Sequence, residues 1–203
     1  METKIARVIS YLFHPLLFPA YVLVLLMNLE TFGTASIPLL HKTILVGVVL
    51  MITFVIPVAL TWFLYRYELV SSFFLVSKEE RIYPILSVAV FYYITYFLLK
   101  GAHFSAVFNF YMLGATLLAI LSLIINFYRK ISLHMIAAGS FTGLFAGLSL
   151  KFGINFTPEI LAGILVAGVV GFARLKSNSH DPAEIYSGFV MGAAVMSLLL
   201  ILL

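Results

Sequence analysis

The chain of 203 residues contains no cysteine. A disulfide framework, an iron–sulfur cluster and a thiolate metal site are therefore excluded. Charge is scarce: 10% of the residues are Asp, Glu, Lys or Arg, against roughly 25% in soluble domains, while 63% are apolar or aromatic. With 12 Lys and Arg and 8 Asp and Glu, the chain cannot keep that much apolar surface in water. A soluble globule and a disordered chain are excluded, and an integral membrane protein is left. Period-two alternation of apolar and polar residues is missing too, so a membrane β-barrel is excluded and the fold class is all-α. No span carries a charge at its middle, which argues against an ion- or proton-coupled transporter.

What is present is a series of apolar runs. A helix needs about 20 apolar residues to cross a hydrocarbon core of about 30 Å. Counted between charge clusters, seven spans are expected at Ser10–Leu29, Thr43–Tyr65, Pro84–Leu99, Ser105–Tyr128, Leu133–Leu150, Pro158–Phe172 and Ala183–Leu203. The third and sixth are short, so a count of six with one of them re-entrant stays open. The whole of 1–203 reads as one polytopic transmembrane helical bundle. Lys4 and Arg7 ahead of the first run resemble a signal peptide. That run is long, contains His14, Pro15 and Pro19, and lacks a small-x-small cleavage site, so it reads as a retained first helix.

With seven spans, the loops before the third, fifth and seventh share a face with the N-terminus. That face carries Lys4, Arg7, Arg66, Lys78, Arg81, Arg129, Lys130, Arg174 and Lys176, against Lys42, Lys100 and Lys151 opposite. By the positive-inside rule it is cytoplasmic, in a cell (inner) membrane. If Lys78, Arg81 and Arg174 bind an anion instead, nine against three becomes six against three. The net charge of +4 is thus read as interfacial anchors and anion ligands, and nucleic acid is not an expected partner. Gly139, Gly143 and Gly147 recur every four residues in the fifth span, as do Gly188 and Gly192 in the seventh. Such stripes let helix backbones touch where lipid gives no hydrophobic drive, so these two helices are expected to pack together.

Three polar clusters interrupt the apolar pattern. In Ser77-Lys78-Glu79-Glu80-Arg81-Ile82-Tyr83-Pro84, Lys78 and Arg81 are three apart and share a helical face, and Pro84 suits a first helical turn. Two such cations can grip a phosphate, or simply anchor the helix with Glu79 and Glu80 neutralising them. In Arg129-Lys130-Ile131-Ser132-Leu133-His134, Ser132 is placed to cap the fifth helix and His134 to sit in its first turn, an end that favours anions. The third cluster runs from Ala173 and Arg174 through His180 and Asp181 to Glu184 and Gly188. There Arg can bind an anion, His attack it, and a carboxylate four residues on orient the imidazole. Asp181, Pro182 and Glu184 also compose a capping box, which would account for the acids without catalysis. His14 beside Pro15 reads as a helix-start or packing feature, and His41 and His103 as interfacial.

Taken in order, the clusters resemble the three signature motifs of the type 2 phosphatidic acid phosphatase superfamily, integral membrane lipid phosphatases related to vanadium haloperoxidases. The third motif, S-R-x5-H-x3-D, is matched in spacing by Ala173-Arg174-x5-His180-x3-Glu184. The second, P-S-G-H, is similar to Ile131-Ser132-Leu133-His134, with Ile and Leu in place of Pro and Gly. The first, K-x6-R-P, is echoed by Lys78, Arg81 and Pro84 at compressed spacing. The likeness covers residues 78–190.

The resemblance implies that His180 is a nucleophile forming a phosphohistidine, that Glu184 orients it, and that His134 protonates the leaving oxygen. It implies that Lys78, Arg81, Arg174 and Ser132 hold the phosphoryl oxygens. It implies no metal and no cofactor, and a substrate among membrane lipid phosphates or polyprenyl diphosphates. Family members usually open the site away from the cytoplasm, whereas charge counting places it inside, and both orientations stay open. The alternative reading is a non-catalytic relative that binds an anionic lipid, or a helical subunit of a membrane complex. The sequence names no protein partner.

Overall fold

The computed structural model describes residues 2–29, 31, 37–71, 79–101 and 105–202. Among them there is no strand, and seven helical segments are long and apolar enough to cross a membrane: Lys4–Asn28, Leu39–Arg66, Ile82–Gly101, Ala106–Tyr128, Leu133–Phe152, Thr157–Lys176 and Pro182–Leu202. The chain is an all-α, integral membrane protein. The third and sixth spans, short by apolar counting, are each 20 residues long. The extra length of the sixth comes from a last turn that carries Arg174 and Lys176, residue types whose long apolar stems can extend a span while the charged head sits beyond it.

The chain forms two compact units, one made of residues 1–18 with 128–203 and the other of 19–127. In the first unit, α1 (Glu2–Leu12) begins eight residues before the expected start of the first span and stops short of Pro15. Proline cannot donate to the ladder and drives its predecessor out of the helical region, so His14 is extended at φ −64°, ψ 134°. A 3-10 turn, Pro15–Leu17, follows before α2 (Phe18–Asn28) starts. The retained first helix of the sequence reading is therefore broken at His14.

The rest of this unit is α7 (Leu133–Phe152), α8 (Thr157–Lys176) and α9 (Pro182–Leu202), with α7 packed against both of the others and α1 against α8. The glycine stripes make the α7–α9 contact. A Cβ on Gly139 would run into the Phe189 carbonyl and lie 3.0 Å from the Ala193 nitrogen. One on Gly192 would strike the Ile136 carbonyl and lie 2.9 Å from the Ser140 nitrogen. Backbones this close leave no room for any side chain, and the Ser197 hydroxyl donates across the seam to the Gly143 carbonyl at 2.9 Å. Phe18, Met135, Ala138, Ala167, Val170 and Ile185 fill the core beside it.

Short connections hold the helices antiparallel. α7 ends on Gly153 at φ +66°, the left-handed conformation that closes a helix, with its N–H on the Ser149 carbonyl. α8 ends on Asn178 at φ 50°, and the N–H of Ser179 folds back to the Arg174 carbonyl at 3.1 Å. The start of α7, the end of α8 and the start of α9 thus come to one end of the unit.

The second unit contains most of α2, then α3 (Leu39–Leu50), a π-helical turn (Met51–Val55), α4 (Ile56–Arg66), α5 (Ile82–Gly101) and α6 (Ala106–Tyr128). The π turn precedes Pro57, whose missing N–H and ring disturb the ladder one turn back. Lys42 donates to the Met27 carbonyl at 2.7 Å, satisfying the end of α2. Buried threonines bond within their own helices, Thr53 to Val49, Thr95 to Phe91 and Thr116 to Met112, each at 2.8 Å.

Candidate active site

The loop between α8 and α9 is built to present His180. Asn178 turns the chain out of α8, and Asp181 caps α9, its Oδ1 accepting the Glu184 N–H at 2.8 Å. The Glu184 carboxylate meets the imidazole: His180 Nδ1 donates to Oε2 at 2.6 Å. Asp181 thus caps α9, and the Glu184 carboxylate lies on the imidazole. The pair is shielded, with the His180 side chain 4% exposed and that of Glu184 18%. Since an ionised carboxylate only accepts, Nδ1 carries the hydrogen and Nε2 the lone pair of the neutral ring.

His134 lies in the first turn of α7, as expected. Its Nε2 stands 3.1 Å from the Ser10 carbonyl, which again only accepts, so the hydrogen is on Nε2 and Nδ1 is the second ring nitrogen. Arg174, His14 and His180 are all close enough to act electrostatically on His134. Arg174, in the last turn of α8, donates from Nη1 to the Ser10 hydroxyl at 3.4 Å.

Ser132 departs from the expected cap. Its backbone carbonyl receives the N–H groups of Met135 and Ile136, both at 3.0 Å, but its hydroxyl makes no cap bond. The residue is fully buried, its N–H donates to the Glu184 carbonyl at 3.3 Å, and Oγ has no hydrogen-bond partner among the described residues. An unsatisfied buried hydroxyl costs about 1–3 kcal/mol. Ser132 is also close to α9, where a Cβ on Gly188 would lie 2.9 Å from its carbonyl oxygen.

The structure thus brings together His180, Glu184, His134, Arg174 and Ser132, all in the first unit. Arg81 closes the turn leading into α5 and belongs to the second unit, with its carbonyl receiving the Ile85 N–H at 3.0 Å. Lys78 and His103 lie outside the described residues. His41 is exposed in the first turn of α3. Among the described residues no group of three or more His, Cys, Asp or Glu side chains is placed to hold a metal ion.

Two residues of this cluster, Ser10 and His14, were not expected from the motifs. His14 accepts the Leu16 N–H on Nδ1 at 3.4 Å, the helix-start role read from Pro15. It also lies edge-on to the His134 ring, with centroids 5.6 Å apart and planes at 77°. The available signal was a histidine inside an apolar run, which is costly in lipid unless it meets a polar partner.

Known proteins add little to this geometry. No family model matches the chain, and no solved structure matches it. Over 77 residues it is 31% identical to an uncharacterized 22.5 kDa protein in cps region of Klebsiella pneumoniae, a stretch that covers 37% of each chain. The chain thus matches little more than a third of that relative's length.

Proposed function

We propose that the protein is a membrane-embedded phosphatase that removes phosphate from a lipid phosphate or polyprenyl diphosphate through a phosphohistidine. The observation that carries this reading is the 2.6 Å contact between His180 Nδ1 and Glu184, made in a shielded loop beside Arg174 and His134. A carboxylate on Nδ1 raises the electron density at Nε2 and stabilises the ring as it takes on charge. Nε2 attacks phosphorus, the bond from phosphorus to the leaving oxygen breaks, and His134 Nδ1 relays to that oxygen the acidic proton that the substrate's monoanion brings in. Water then attacks the phosphohistidine, the phosphorus–nitrogen bond breaks, His134 relays a proton from the water, and inorganic phosphate departs. Arg174 neutralises the phosphoryl oxygens throughout. The buried Ser132 hydroxyl supports the same reading, because a bound oxyanion gives it the partner it lacks.

The test is direct. Purified protein in detergent releases phosphate from a dialkylglycerol phosphate or a polyprenyl diphosphate without added metal, and vanadate inhibits it. His180→Ala loses at least about 10³-fold in rate because the covalent route disappears. Wild-type protein that hydrolyses neither substrate, yet binds vanadate, overturns the enzyme reading in favour of a non-catalytic anion binder.

A further inference from the structure

The three motif-like clusters all begin at residue 77 or later, but the first unit also contains residues 1–18. In the last turns of α1 the Ser10 hydroxyl donates to the Ala6 carbonyl at 2.9 Å, so toward Arg174 Nη1, 3.4 Å away, it can only accept. The carbonyl of the same residue accepts from His134 Nε2. One residue therefore holds the guanidinium through its side chain and the imidazole through its main chain. His14, one turn further along, faces the same imidazole with its ring.

A purely structural account covers only part of this. The 3-10 turn needs an acceptor at its cap, which Asn, Asp or Ser would supply with less apolar surface and no ring. Capping gives no reason for an imidazole to stand edge-on to His134. Nor does helix formation require the Ser10 hydroxyl to meet an arginine 164 residues away.

We propose that Ser10 and His14 are positioning residues of this site, a fourth element supplied by the first segment, which fix the direction and tautomer of His134 and the aim of Arg174. With Nε2–H committed to the Ser10 carbonyl, His134 exchanges protons with a bound phosphate ester through Nδ1. The rate consequences rest on the phosphatase reading; the tautomer does not.

The experiment has two arms, both on the full chain. In the first, protein labelled with ¹⁵N-histidine is studied by NMR in detergent, and His134 is assigned by the resonances lost in His134→Gln. The neutral ring is expected to show a single tautomer protonated at Nε2, and its titration midpoint to move in His14→Asn, a variant that keeps a cap acceptor but removes the facing ring. In the second, rates are compared for a dialkylglycerol phosphate, whose leaving oxygen needs a proton, and 4-nitrophenyl phosphate, whose leaving oxygen barely does. His14→Asn and Ser10→Ala are expected to lower the lipid rate by about 10–100-fold and the aryl rate by less, as misplacing a reacting group does, with Ser10→Thr restoring the hydroxyl and most of the loss.

A His134 ring that samples both tautomers in the wild type overturns the proposal whatever the rates. So does an unchanged lipid-to-aryl ratio in both variants of a protein that turns over. A single Nε2–H tautomer in a protein that hydrolyses no phosphate ester supports the positioning and removes the phosphatase reading.

Discussion

Replacing Gly143 with alanine adds one methyl group where α7 and α9 touch. That methyl would lie 2.8 Å from the Ala193 Cα and would run into the Ala193 carbonyl oxygen. Non-bonded carbons rest about 3.5–4.0 Å apart, so the helices must separate by roughly 0.7–1.2 Å. A gap of that size forfeits a quarter to a half of an attraction of about 0.1–0.2 kcal/mol per atom pair, and over a contact as large as one buried leucine the loss is about 1–6 kcal/mol. Overpacked cores cost about 1–3 kcal/mol, because neighbours shift to share the strain, so about 2 kcal/mol is expected. For a chain of this size that is a fall of roughly 4–8 °C in Tm. Gly168→Ala is the matched control: nothing lies within 4 Å of its added methyl, and alanine favours the helix by up to about 1 kcal/mol. Purified variants in one detergent are heated in steps and the monodisperse fraction surviving size-exclusion chromatography is measured. Gly143→Leu should fall further than Gly143→Ala. A Gly143→Ala protein as stable as wild type, or no less stable than Gly168→Ala, refutes the claim that backbone contact at the glycine stripe holds the unit together.

Four further outcomes are expected. A cysteine placed at the exposed Ser177, in a background with no other cysteine, is protected from an impermeant thiol reagent in intact cells if the site end is cytoplasmic; labelling from outside reverses the orientation. Asp181→Ala costs about 1 kcal/mol of stability through the lost cap, whereas Glu184→Gln lowers the phosphatase rate more than tenfold and leaves Tm nearly unchanged, and a reversed pattern makes Glu184 the structural residue. Asn178→Ala destabilises by about 1–2 kcal/mol because Cβ opposes the left-handed turn, while Asn178→Gly does not, as thermal unfolding will show. Ser132→Ala leaves the ligand-free protein as stable or about 1 kcal/mol more so, yet weakens vanadate binding measured by calorimetry; a clear loss of ligand-free stability would mean that the hydroxyl is satisfied without an anion.

The helical architecture was legible because it depends on local composition. A bilayer core demands satisfied backbone groups and apolar surface over a fixed thickness, so charge clusters mark the spans, with ends misplaced by as much as eight residues at the first. The errors have causes. Span one begins early because α1 mixes Lys4 and Arg7 into its turns, and span six ends late because Arg174 extends the helix beyond its apolar core. The α7–α9 contact was legible for a related reason: glycine every fourth residue leaves one face of a helix bare, and only another backbone can fill it.

The candidate site divides differently. His180 and Glu184 are four residues apart across a helix start, and Asp181 sits three before Glu184, so the sequence by itself determined that these groups could meet. Whether Glu184 would complete the capping box or take the imidazole was left to the structure, because both partners lie within its reach at the same helix start. The same holds for Ser132, whose position at the start of α7 is local but whose hydroxyl is sealed off by packing against α9. Ser10 and His14 were beyond sequence reasoning altogether. They sit 124 and 120 residues from His134, and only the packing of α1 and the 3-10 turn against α8 and α7 brings them to it. Composition dictates which segments leave water. It carries no record of which turn of one helix stops opposite which turn of another, and that is decided by the close packing of side chains and bare backbone in the folded unit.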